Sequence, residues 1–328
     1  MKPLMPNRPN SLFGSKAVEP QDVPSRAISL FAKVLSAALL SAGLLIATPG
    51  LAATTVTQGK AQAQPEASKA VQAQVDKQAA DAASEKRKKL LHDATEAIAQ
   101  TEQALKALED KKNGVALKAL ADATGKLELI VARDPSLKLA PVSTTVVTYD
   151  LLATPDTVRV ALADARKALG DGAIPRARLL VEALASETQI RTTNIPLATY
   201  PAAIKAITPL IDAGKTEEAK TQLQAALSTL VITTDVIPLP KLRAENMLKD
   251  AQSLTEKKDR SKEENDRLTA DLRGAREQLQ MAELLGYGQS QDYKPMYAQL
   301  DGIEKASSGG KSGTGLFDKI KKQLADVF

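Results

Sequence analysis

The chain has 328 residues, of which 3% are aromatic, with no Cys, no Trp and a single His, His92. Chemistry that needs a His cluster, a thiolate or a Cys-ligated metal is therefore excluded, and no cofactor is expected. The first 52 residues hold five of the 44 basic groups and two of the 39 acidic ones, so the formal charge of +5 falls to 39 against 37 in the rest. A body so close to neutral gives no electrostatic reason to expect nucleic acid.

Leu35 to Ile46 is an unbroken run of apolar and small residues, preceded by Arg26 and Lys33 and followed by Pro49-Gly50-Leu51-Ala52-Ala53. This three-part pattern reads as a cleavable secretory signal over residues 1–52, which places the rest of the chain in the periplasm as a soluble protein. The run is short of the roughly 20 residues needed to span hydrocarbon, which argues against a permanent anchor. Residues 53–88 are rich in Ala, Gln, Lys and Glu and poor in large apolar side chains. Such a segment buries little and is expected as a loose tether or a solvated helix.

From Leu90 onward the apolar residues follow a helical period, and the body at 89–306 reads as a repeat of helix pairs. Leu108 precedes Ala116 by eight residues, as Leu169 precedes Ala177 and Ile211 precedes Ala219; each Ala is followed nineteen residues later by Pro135, Pro196 or Pro238. Gly172 and Gly214 fall at the same point of the second and third copies. The expectation is helix, tight turn, helix, with the alanines allowing close approach and the proline stopping the second helix. Thr154-Pro155-Asp156 and Thr216-Glu217-Glu218 are read as helix starts. A fourth pair spans Ala244 to Leu254 and Ser261 to Leu285 and opens with the capping box Ser261 to Glu264. Between the first and second pairs the spacing rises from 42 to 61. The extra residues include the β-branched stretch Val142 to Leu152, expected to be a short strand or hairpin. Thr188 to Ile195 and Val231 to Ile237 have the same composition; they either pair with it or end the second helices. The fold class is thus mainly α: repeated antiparallel helix pairs, as a bundle or a short solenoid, with a small β insertion near residues 142–152.

Residues 307–315 read as a Gly/Ser linker, and residues 316–328 as an amphipathic helix with Leu316, Phe317, Ile320, Leu324, Val327 and Phe328 on one side. That helix either docks on its own body or a sister subunit, or contacts a membrane surface or protein partner through Leu316, Phe317, Ile320, Leu324 and Phe328.

Gly310-Lys311-Ser312 lacks the earlier glycine and the preceding strand of a phosphate loop. His92 stands alone, which favours a structural role. Asp156, Asp164, Glu182 and Glu187 alternate with Arg159, Arg166, Arg178 and Arg191 as on solvated helix faces, and no catalytic pair stands out. The one local concentration of groups suited to lining a ligand groove is Tyr287, Tyr293 and Tyr297, although core filling explains them as well.

Paired helices such as Val160-Ala-Leu-Ala-Asp-Ala-Arg-Lys-Ala-Leu-Gly-Asp-Gly172 and Ile211-Asp-Ala-Gly-Lys-Thr-Glu-Glu-Ala219, separated by a β-branched insert, resemble the bacterial YfdX proteins over roughly Leu90 to Tyr297. The resemblance implies a mostly helical periplasmic protein that self-associates, is linked to acid or antibiotic stress and has no established enzymatic activity. The leading expectation is accordingly a non-enzymatic binding or scaffold protein. A periplasmic hydrolase or transferase working through carboxylates and Tyr, and a purely structural homo-oligomer, are the rivals.

Overall fold

The computed structural model describes residues 55–56, 65–311 and 315–327. The signal read over residues 1–52 and the terminal Phe328 lie outside them. In chain order the elements are β1 (Thr55–Val56), α1 (Glu66–Lys88), α2 (His92–Glu109), α3 (Asn113–Arg133), β2 (Leu139–Tyr149), α4 (Pro155–Gly170), α5 (Ile174–Glu182), β3 (Glu187–Pro196), α6 (Tyr200–Asp212), α7 (Thr216–Ser228), β4 (Val231–Pro238), α8 (Leu239–Thr255), α9 (Lys262–Leu284), α10 (Ser290–Ser307) and α11 (Asp318–Val327). The expected class is found: a mostly helical chain of antiparallel hairpins with a small sheet.

The repeating unit is larger than a helix pair. It is helix, helix, strand, three times over: α2-α3-β2, α4-α5-β3 and α6-α7-β4. The turns inside the hairpins are the same turn. Ala173 N donates to Ala168 O and Gly172 N to Leu169 O, at 2.8 and 3.1 Å; Lys215 and Gly214 do the same to Leu210 and Ile211, and Lys112 and Lys111 to Ala107 and Leu108. This is the Schellman closure, whose residue after the cap adopts a left-handed conformation. Gly172 (φ 70°), Gly214 (φ 74°) and Lys111 (φ 59°) occupy that position. Leu108, Leu169 and Ile211 therefore hold equivalent places, and Ala116, Ala177 and Ala219 are buried on the opposing helices.

The stretches at 188–195 and 231–237 are strands and not helix ends. β3 pairs antiparallel with β2 from Leu139↔Pro196 to Tyr149↔Glu187, and with β4 from Glu187↔Pro238 to Asn194↔Val231. β1 adds a short parallel segment at Thr148 and Tyr149. This corrects the role expected for two prolines: α5 stops at Glu182 and α7 at Ser228, so Pro196 and Pro238 end strands, and only Pro135 follows its helix directly. The inserted strand lies at 139–149, three residues earlier than read. Thr154 caps α4 as expected, accepting from Thr157 N at 3.3 Å, and Ser261 and Glu264 form the reciprocal capping box of α9. Thr216 is instead the first residue of α7, and the cap position falls to Lys215.

Two cores flank the sheet. The first fills the space between α2, α3, α6 and α7 with Leu108, Leu120, Leu127, Ile204, Ile207, Ile211 and Leu223, and is closed by Ala140 and Ile195 of the sheet. The second lies between α1, α8, α9, α10 and α11, around Val71, Val75, Met247, Leu272, Leu279, Tyr293 and Phe317. Within the segment read at 53–88, the described stretch Glu66–Lys88 is a helix, one of the two forms expected, but one that is packed on one side rather than solvated all round. Val71 and Val75 are completely buried, and the Ala-rich surface around them lets α1 lie close to α8. Gln72 on α1 accepts from the buried Arg243 of α8 at 3.0 Å, and Arg243 also donates to Asp150, just past β2, at 2.7 Å.

Candidate functional site

The chain turns sharply between α1 and α2, at Lys89-Leu90-Leu91. Leu91 N donates to Pro141 O at 3.0 Å, and the Thr95 hydroxyl donates to Val142 O at 3.0 Å, so this knee is fastened to the start of β2. Between the knee, the C-terminal end of α3 and the inner face of the sheet lies a cavity of about 670 Å³. Leu90, Leu91, Ile130, Leu137, Leu139 and Pro141 supply its apolar surface, and Thr192, Asn194 and Thr233 its polar floor. Alternation along β3 accounts for the floor, because Thr188, Ile190, Thr192 and Asn194 all project to the covered side.

Most polar groups around the cavity already have partners. Asn194 Nδ2 donates to Thr192 O, Val231 O and Thr233 Oγ1 at 2.8, 3.1 and 3.2 Å. Lys86 pairs with Asp235 at 2.8 Å, and Arg133 with Asp93 at 2.7 Å. Asp134 accepts from the backbone N–H and hydroxyl of Ser136, and these bonds hold its carboxyl below the usual carboxylate range. Two groups stand apart. The Thr192 hydroxyl is buried without a hydrogen-bond partner, and Lys89, at the rim, makes no ion pair among the described residues. His92 opens α2 with its side chain 83% exposed and its Nε2 3.1 Å from Glu96, which fits the structural role read for it. No grouping of three or more His, Cys, Asp or Glu suited to a metal ion occurs among the described residues.

The tyrosines sit elsewhere, where α9, α10 and the end of the sheet meet. Tyr293 and Tyr297 stack with ring centroids 6.5 Å apart. The Tyr293 hydroxyl donates to Tyr287 O, that of Tyr297 to Glu283 at 2.7 Å, and that of Tyr287 to Glu187 at 2.7 Å while accepting from Ser186 N at 3.0 Å. Burial, reinforced for Tyr287 and Tyr297 by the bonded carboxylates, raises all three hydroxyls well above their ordinary range, so they act as fixed donors. Tyr287 also borders a shallower cleft of about 300 Å³ with Pro238 and Lys241. Tyr293 is fully enclosed.

The C-terminal helix docks on its own chain. Phe317, Ile320 and Leu324 are buried in the second core, with Leu316 packed beside them, against α8 and α10. Of the two placements expected for these residues, the structure has the internal one; contact with a membrane or partner through them requires α11 to leave the core. No helix among the described residues is long and apolar enough to cross a membrane.

Sequence reasoning missed the cavity at the knee. Its walls come from six elements, and the only local signal was the change of composition at Lys88-Lys89, where the Ala/Gln-rich stretch gives way to the first hairpin.

No protein of curated function matches this sequence. A solved structure of Salmonella Typhi YfdX is 14% identical, and the match covers 46% of this chain and 93% of that one with a TM-score of 0.32. Residues 97–236 match the model of the YfdX protein family, a span narrower than the resemblance read at 90–297. It runs from within α2 to near the end of β4, so it takes in the three helix-helix-strand units and leaves out α1 and α8–α11 of the second core. Over residues 97–236, the chain is similar to the YfdX protein family.

Proposed function

We propose that this chain is a non-enzymatic binding and scaffold protein, exported to the periplasm, that acts as a homo-oligomer in tolerance of acid or antibiotic stress. Export rests on the signal pattern of residues 1–52, and the link to stress rests on kinship with the YfdX family. The observation that carries the binding role is the cavity at the knee: an apolar chamber with one unpartnered hydroxyl in its floor and one unpaired cation at its rim. That combination suits a small amphipathic molecule with an apolar body and an anionic end, the body displacing water and the anion meeting Lys89. Catalysis by the rival carboxylate mechanism requires an acid held protonated near neutral pH. The three carboxylates at this cavity are Asp93, paired with Arg133, Asp235, paired with Lys86, and Asp134, whose carboxyl is shifted the opposite way.

The test uses anilinonaphthalene sulfonate, an apolar ring system carrying one sulfonate, titrated into the full mature chain. Lys89→Glu is expected to weaken binding about tenfold, as for loss of one charge-assisted bond. Leu137→Asp, which puts a carboxylate into the apolar wall, is expected to abolish it. Equal affinity in both variants and the parent overturns the assignment.

A further inference from the structure

The three hairpins are equivalent in sequence and turn geometry, yet only two are covered alike. α2 packs on α7 and α3 on α6: the first helix of each hairpin meets the second helix of the other, both ways round. That reciprocity is the signature of a two-fold relation, here internal to one chain. At its centre Leu108 and Ile211 are 1% and 2% exposed, and Leu120 and Leu223 are 1% and 0%. The residues in the same places on the middle hairpin, α4–α5, are Leu169 and Val181, and they are 51% and 53% exposed. Neither core contains a residue of α4 or α5. What the middle hairpin does bury, Val158, Ala165, Ala168 and Ala177, lies within the hairpin and toward α9.

The outer surface of this hairpin is also unlike that of its siblings. Val160, Ile174 and Leu179 are 63%, 51% and 70% exposed. The corresponding residues of the other two hairpins are alanines at the first place and Asn113, Thr216, Lys118 and Thr221 at the other two. Leu169 and Val181 thus leave exposed the apolar face that the sibling hairpins cover, and Val160 and Leu179 add apolar surface on the other side; exposed apolar surface of this kind marks an interaction surface. Charges on the same hairpin are left open as well: Asp164, Arg166, Arg178 and Glu182 make no ion pair among the described residues. Both signs are present, as a self-complementary surface requires.

We infer that the α4–α5 hairpin is the docking surface for a second copy of this chain. Two middle hairpins pair about a two-fold axis, α4 of each against α5 of the other, and rebuild between chains the four-helix arrangement that the first and third hairpins make within one. Leu169 and Val181 then become interior residues, as Leu108, Leu120, Ile211 and Leu223 already are. This rests on the reading of the chain as a homo-oligomer, and it assigns the surface that reading lacks.

The test is sedimentation equilibrium of the full mature chain and two variants. Leu169→Asp/Val181→Asp is expected to raise the dimer dissociation constant at least about a hundredfold while leaving the helical circular dichroism unchanged, because both side chains are exposed in the single chain. Ile232→Lys, on the exposed edge strand β4, is expected to leave it unaltered. A parent that dimerises and a double variant that dimerises equally well overturn the assignment but not the homo-oligomer, and loss of dimer only in Ile232→Lys moves the interface to the sheet edge. A parent that stays monomeric at every concentration overturns both. The absence of native Cys allows a second readout independent of variant stability: Leu169→Cys with a short thiol cross-linker is expected to give covalent dimer, and Ile232→Cys is not. The reverse pattern overturns the proposal.

Discussion

Asp271 lies on α9 with 3% of its surface exposed, one residue from the core residue Leu272. Its Oδ2 has no hydrogen-bond partner, and the nearest cation is Arg267 Nε at 3.8 Å. Burial pushes its carboxyl up to about 6; Arg267 opposes the shift and Asp250 adds to it. Between about pH 4 and 6 the unfolded chain has lost this proton and the folded chain has kept it, so the folded state binds more protons and stability falls as pH rises through that window. Above about 6 the loss is complete and constant. Asp271→Asn is expected to flatten that part of the profile and to stabilise the second core at pH 7 by up to about 3 kcal/mol. Urea unfolding at a series of pH values measures it, and parallel profiles for parent and variant would count against the account. At this scale the sequence is legible where partners are near neighbours in the chain. Thr154 and Ser261 were identifiable as caps because the groups they satisfy lie three residues on. The Arg243–Asp150–Gln72 bonds were not, since they join residues 93 and 171 positions apart and leave no periodic trace.

The hairpin turns offer a clean test at the scale of the element, because nature has placed two glycines and one lysine in the same left-handed position. A Cβ at Gly172 or Gly214 meets nothing within 4 Å, so any cost of a side chain there is conformational and not steric crowding by neighbours. Gly214→Ala is expected to destabilise the third hairpin by about 1 kcal/mol, and Lys111→Gly to stabilise the first by a similar or smaller amount. Thermal unfolding of the two variants checks the opposite signs; changes of the same sign would show that the turns are not equivalent. The spacing of Leu108, Leu169 and Ile211 was sufficient to find these turns. It was not sufficient to find the strands that complete each unit. A proline nineteen residues after the alanine terminates α3 in the first unit but β3 and β4 in the others, and a terminator does not record what it terminates. A β-branched stretch beside an Ala-rich helix becomes a strand only because two similar segments, distant in sequence, are brought alongside.

On the scale of the whole molecule, the first core draws its buried residues from positions 94 to 226, and the second from 71–75 and 239–324. The chain thus enters the second core, leaves it for the three repeats, and returns. The cores meet across the sheet and through Arg243, which joins α1, the end of β2 and α8, so few apolar contacts cross between them. Sparse contact of this kind permits each core to open without the other. Leu223 is completely buried in the first core and Leu279 in the second, and truncating either to Ala removes about 2–5 kcal/mol where the cavity does not collapse. Native-state hydrogen exchange is expected to show lost protection confined to α2, α3, α6 and α7 for Leu223→Ala, and to α1, α8, α9 and α10 for Leu279→Ala. Uniform loss over all these helices in both variants would make the two cores a single cooperative unit and would assign the sheet and the Arg243 bonds a larger share of the coupling. Docking of α11 bears on the same balance. Phe317, Ile320 and Leu324 close the second core from outside, so a weakened Leu279→Ala core is the one from which α11 should be released first, detectable as early exchange of the amides of residues 318–327.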